Sequence, residues 1–330
     1  MAPNRRIRTR ATPAGVAAYD LSLPFEVGAP LEPAALFPAE GEPAGHAAAP
    51  DLERAAYTTG GTLVCAGRDG AVAWRGDLGA APEPYMNGRA ACAFSRDGDV
   101  VWLYRPDLAL RGPGHTDQWL AFDAATGRVL GQADLGSAGH GAHHFVHPDG
   151  EHVLLEVGEG QEGSRVYLAR LDGTGIEVTE FPWSAALYDL SPDGARMLTV
   201  REAPGSLLDE LVVRTFPGGR EDVVVPAEAL GYDEDEHETF FIGWTVGHLD
   251  AGTAIVSVHG EHVEPEDTEP EDTEPEEPLD FHRNHLVDVR TGRVLGLMPP
   301  AFAEREDVTP LGDGSWLTTG SDGAWYRHTR

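Results

Sequence analysis

The chain has 330 residues, 41% of them hydrophobic, and a formal net charge of −31 in which all 24 cationic side chains are arginine. That acidity excludes a phosphate-backbone reader, which needs clustered positive charge. The length exceeds one ordinary core, so it leaves either two domains or an all-β repeat in which each repeat adds its own slice of core.

Forty Gly and 25 Pro, spread along most of the chain, favour many short strands and turns. No apolar run is long enough to span a membrane, and Met1–Ala18 lacks the apolar centre of a secretory signal. The expectation is a soluble, cytoplasmic chain without a membrane partner.

Residues 1–12 carry Arg5, Arg6, Arg8 and Arg10 and read as a flexible tail, with residues 13–330 as one domain. Gly15–Leu23 is an apolar strand candidate, and the Pro- and Ala-rich stretch Ala29–Pro50 reads as a loop. Thr59-Gly60-Gly61 is the first, weak copy of a turn that then recurs. Its later copies are Arg96-Asp97-Gly98, Pro148-Asp149-Gly150, Pro192-Asp193-Gly194, Asp250-Ala251-Gly252 and Gly312-Asp313-Gly314. Asp-Gly supplies the left-handed position that a tight hairpin needs. Most copies precede a β-rich run such as Val100–Tyr104, Val153–Val157, Met197–Val200 or Ala254–Val258.

A second hairpin follows, clearest in Trp119–Leu130 and Leu286–Leu295, and weaker in Val166–Val178 and Leu211–Val225. One unit is therefore a four-stranded antiparallel meander. Such a sheet cannot bury both faces alone, and radial stacking on its neighbours makes a β-propeller. Six units can be counted, with a seventh left open in Ala29–Pro50. The last unit shows three strands, Asp307–Leu311, Ser315–Thr319 and Ala324–His328, and Gly15–Leu23 is the candidate to close it. Cys65 and Cys92 fall in strands as small buried residues, and Trp74, Trp102, Trp119 and Trp244 read as blade core.

Ser191-Pro192-Asp193-Gly194 between strands, and Phe122-Asp123-Ala124-Ala125-Thr126-Gly127-Arg128-Val129-Leu130, resemble the hallmarks of bacterial WD-repeat-like and quinoprotein-like propellers. The resemblance covers about residues 55–330 and implies an architecture without an activity. No Trp-Asp closes a strand, no Gly-His opens a repeat, and paired adjacent cysteines of quinone-binding dehydrogenases are missing.

In this strand order the short turns lie on one end of the ring and the long connections on the other, which marks the second end as the interaction surface. Two acidic stretches gather there. One is Asp233, Glu234, Asp235, Glu236 and Glu238. The other is a loop at 261–280, expected to be disordered, which repeats Glu-Pro-Glu-Asp-Thr and includes Glu266, Asp267, Glu271 and Asp272. The first reading is a non-enzymatic, monomeric interaction scaffold without a cofactor, whose acidic loop face binds a protein with a basic surface.

Histidines gather at His140, His143, His144 and His147, with His152 beyond the turn. Imidazole is a common ligand of zinc and related ions. A divalent metal at the channel mouth near His140 and His143, serving a hydrolase or lyase, is one alternative. A propeller that binds a small ligand is the other. Nucleophile elbows, zincin helices, phosphate loops and dinucleotide fingerprints do not occur in recognisable form.

Overall fold

The computed structural model describes residues 5–205, 208–232, 237–262 and 280–330. The chain divides into two compact units, Met1–Phe25 with Leu31–Ala186, and Glu26–Pro30 with Leu187–Arg330.

The first unit holds four antiparallel sheets. The first consists of β1 (Ile7–Thr12), β2 (Gly15–Asp20) and β3 (Ala35–Phe37); the second of β4 (His46–Ala48), β5 (Arg54–Thr59), β6 (Thr62–Gly67) and β7 (Val72–Asp77). The third contains β8 (Ala91–Phe94), β9 (Val100–Arg105), β10 (Gln118–Asp123) and β11 (Val129–Asp134), with the short helix α1 (Asp107–Arg111) between β9 and β10. The fourth is β12 (Gly141–Val146), β13 (His152–Gly158), β14 (Ser164–Leu171) and β15 (Ile176–Glu180).

Three sheets follow. The fifth is β16 (Ala186–Leu190), β17 (Arg196–Glu202), β18 (Asp209–Thr215) and β19 (Glu221–Pro226). The sixth is β20 (His237–His248), β21 (Thr253–His262), β22 (Asp280–Asp288) and β23 (Val294–Leu297). The seventh is β24 (Thr309–Pro310), β25 (Ser315–Thr319) and β26 (Trp325–Thr329). Each sheet pairs its strands in sequence order. The fold class is all-β, a seven-bladed β-propeller.

Strand alternation explains the stacking. Successive side chains of a strand point to opposite faces, so a sheet covered on both faces is apolar at every position. In β9, Val101 and Leu103 join Leu63, Cys65 and Trp74 of the second sheet. Trp102 and Tyr104 turn the other way, to Val153, Leu155 and Tyr167 of the fourth. In β6, Val64 and Ala66 instead join Val16 and Phe37 of the first sheet. Sheets five and six share Leu198, Val213, Val256 and Val287, and sheets six and seven share Ile255 and Trp316. Trp74, Trp102 and Trp119 are core as expected, the Trp244 side chain lies outside what is described, and Cys65 and Cys92 are buried free thiols.

Three expectations are corrected. The flexible tail does not extend to residue 12, because Ile7–Thr12 pairs residue for residue with Gly15–Asp20. Arg5, just before the strand, reaches Asp20 at 3.3 Å. The strand from Gly15 does not complete the last sheet; it is the centre of its own. The N-terminal contribution to the seventh sheet is instead a single antiparallel bridge from Pro30 to Tyr326. Finally, Thr59-Gly60-Gly61 joins the second and third strands of its sheet, not the first and second, because β4 precedes it. Among the described residues, no helix is long and apolar enough to cross a membrane.

Candidate functional site

Asp233, Glu234, Asp235, Glu236, Glu266, Asp267, Glu271 and Asp272 lie outside the described residues, as do all but the first two and the last residue of the 261–280 loop; Glu238 lies in β20. What the structure defines is where the two acidic stretches are rooted. His237 opens β20 and is the register partner of His262, the last residue of β21. Glu261 is the partner of Asp280, the first residue of β22. Both stretches therefore leave from one end of the sixth sheet.

Side chains tie the roots together. Tyr232, the residue before Asp233, stacks on Phe281 with ring centres 5.2 Å apart and planes parallel. Its hydroxyl lies 2.8 Å from Nε2 of His285. His237 sits edge-on to both rings, 5.1 Å from each. Burial pushes the Tyr232 hydroxyl up to about 12, and burial with the nearby Arg283 charge pushes His285 down to about 4. Burial thus favours the neutral forms of Tyr232 and His285, which suits an anchor.

The other face of the sheet carries a second histidine pair. Asn284 donates its amide to the carbonyls of Phe302 and Arg305 at 2.9 and 2.7 Å, which turns its Oδ1 towards His282 Nε2 at 3.2 Å. His282 must therefore donate from Nε2, leaving Nδ1 to accept from His259 at 2.8 Å. Phe241 stacks on His259 at 5.4 Å.

The histidines expected at the channel mouth do not converge. His140 is exposed, with Nδ1 3.4 Å from the Asn87 carbonyl. His143 is exposed in β12, opposite Glu156 of β13. His144 points to the other face and accepts the Trp119 indole N–H at 3.1 Å. Among the described residues, the group whose metal-ligating atoms lie within 4.8 Å of one another is His147, Asp149 and His152. Sequence reading named both histidines but passed over the aspartate, whose role becomes visible only when the recurring turns are superposed. Tyr232, His259, His282 and His285 were also missed, because nothing local in the sequence links residues 53 apart such as Tyr232 and His285.

No family model and no curated protein matches the chain. Among solved structures, the dihydro-heme d1 dehydrogenase NirN, in complex with DHE, aligns with a TM-score of 0.53 at 12% identity over 97% of this chain and 58% of that one. What the two share is the β-propeller fold. BamB from Moraxella catarrhalis aligns at TM-score 0.47 and 12% identity, over 99% of this chain and 92% of that one. Hydrazine synthase from Kuenenia stuttgartiensis aligns at 0.48 and 12% identity, over 74% and 62%. The chain thus spans less than two thirds of the NirN and hydrazine synthase chains.

Proposed function

We propose that the protein is a non-enzymatic interaction scaffold that presents its acidic stretches, from one end of the sixth sheet, to a protein partner with a basic surface. The observation that carries this reading is the stacking of Tyr232 on Phe281. One residue immediately precedes Asp233–Glu236, and the other follows the acidic stretch after His262. Their contact brings together residues that flank two runs the sequence keeps apart. Concentrated carboxylates make the local potential more negative and speed the encounter with a cationic surface.

The test compares capture of partners from native extract by the full chain and by a variant with Asp233, Glu234, Asp235, Glu236, Glu266, Asp267, Glu271 and Asp272 changed to their amides. The reading expects partners that the parent retains at low salt to be lost from the variant, and to leave the parent as salt rises. Identical capture by both proteins overturns it.

A further inference from the structure

The turn that recurs between the first two strands of a sheet is built the same way in the third and fifth sheets. Ser95 and Ser191 each bond Oδ1 of the aspartate two residues on, Asp97 or Asp193, at 2.6 Å. Each serine Oγ also accepts the backbone N–H five residues on, from Val100 at 2.9 Å and Arg196 at 2.8 Å. The fourth sheet keeps the same backbone. The Gly150 N–H reaches the His147 carbonyl at 3.1 Å and the His147 N–H reaches the His152 carbonyl at 3.0 Å, as Gly98, Ser95 and Val100 do in the third.

The two end positions differ. Histidine stands where the sister turns have serine, and again where they have valine or arginine. Nδ1 of His147 lies 2.9 Å, and Nδ1 of His152 2.7 Å, from the same oxygen, Oδ2 of Asp149. The turn forms without histidine in two other sheets, so hairpin geometry does not account for this pair.

We propose that His147, Asp149 and His152 form a three-ligand site for a divalent ion of the zinc class. Two imidazole nitrogens and one carboxylate oxygen suit zinc and its first-row neighbours better than calcium or magnesium, which take oxygen. Three ligand atoms converge here: the His147 Nδ1 also lies 3.2 Å from the Asp149 N–H, and the close approach of His152 Nδ1 to Oδ2 needs a proton or a cation between the two lone pairs. Tetrahedral zinc sets ligand atoms about 3.3 Å apart, so the two short edges would open by roughly half an ångström while the third is already within reach at up to 4.8 Å. The carboxylate is held in place from behind, since Asp149 Oδ1 takes the N–H groups of Glu151 and His152 at 2.8 and 3.0 Å. Such outer bonds orient a metal ligand.

Three protein ligands leave a coordination position for water or a second molecule. His152 and Gly150 line a groove of about 540 Å³ whose wall includes Asp97, Arg96, Arg170 and Asp172.

The experiment uses the full chain stripped with chelator and titrated calorimetrically with Zn²⁺ in excess Mg²⁺, which occupies the acidic stretches. Its partner is the variant His147→Ser with His152→Val, which copies Ser95 and Val100 and so retains a turn that the fold already uses. The parent should bind one Zn²⁺ per chain at this site, and the variant should lose at least about a hundredfold in affinity while unfolding at a similar temperature without metal. Absence of a one-equivalent event in the parent, or an unchanged event in the variant, overturns the site.

Discussion

Trp74 lies across the turn that ends at Gly127: its indole N–H donates to the Ala124 carbonyl at 3.0 Å, and a Cβ on Gly127 would stand 2.7 Å from its ring. Trp74 belongs to the fourth strand of the second sheet, and Gly127 to the last turn of the third. The Asp-Ala-Ala-Thr-Gly turn is thus an inter-sheet contact as well as a hairpin. The sixth sheet repeats it: a Cβ on Gly292 would meet Val223 of the fifth at 2.9 Å.

Gly127→Ala should therefore cost about 2–3 kcal/mol, combining a left-handed backbone with a clash against a rigid ring. In a Trp74→Leu background the same change should cost only about 1 kcal/mol, the backbone share. Urea midpoints of the four proteins test this. Equal costs in both backgrounds would remove the indole from the explanation.

How much was legible follows from which physics is local. Hairpin turns and strand alternation are local, so Ser315–Thr319 was bounded as observed and the pairings of Trp119–Leu130 and Leu286–Leu295 came through. The first sheet was hidden. Its strand Ile7–Thr12 carries arginines at alternate positions, which resemble a basic tail until the pairing with Gly15–Asp20 is seen. The sites were less legible still. His140, His143 and His144 are near in sequence but point apart, whereas His147 and His152 meet because a turn folds them onto Asp149.

Asp117 is fully buried in the connection before β10 and accepts the Tyr104 hydroxyl at 2.8 Å, the Ser137 hydroxyl at 3.1 Å and the Gly139 N–H at 2.7 Å. It thereby pins two long connections of the third sheet to strand β9. Asp117→Ala leaves these donors without an acceptor, at a cost of about 3–5 kcal/mol. Hydrogen exchange should speed up first in residues 106–117 and 135–140. A variant as stable as the parent would show that water or a rearranged loop replaces the carboxylate.

Acid should loosen the fold through two half-buried imidazoles. Burial, with the neighbouring His143, pushes His144 down to about 3, and burial with His282 pushes His259 down to about 4. Their folded values lie below the ordinary 6.5, so the unfolded chain binds more protons between about 4 and 6.5. The stability they contribute is complete above about pH 6.5 and is lost as pH falls towards 4 for His259 and towards 3 for His144. His144→Gln keeps an acceptor for Trp119 but does not titrate. Its melting temperature should fall less steeply than the parent's over that window; a parallel fall would assign the acid sensitivity elsewhere.

Asp209 should act with the opposite sign. Its Oδ2 accepts the Ile242 N–H at 2.9 Å across the fifth and sixth sheets, and burial, assisted by the Glu202 charge, raises its carboxyl to about 6. The folded value exceeds the ordinary 3.8, so folding favours the protonated group. That contribution is full below about pH 4 and disappears as pH rises through 6. Asp209→Asn supplies a neutral carbonyl for the same N–H. It should therefore be more stable than the parent at pH 7, with the difference closing as pH drops to 4. The comparison is made by thermal unfolding at fixed ionic strength, because Glu202 acts through its charge. If the asparagine variant is the less stable protein at pH 7, the ionised carboxylate is the form the sheets were built to hold, and the bond to Ile242 outweighs its desolvation.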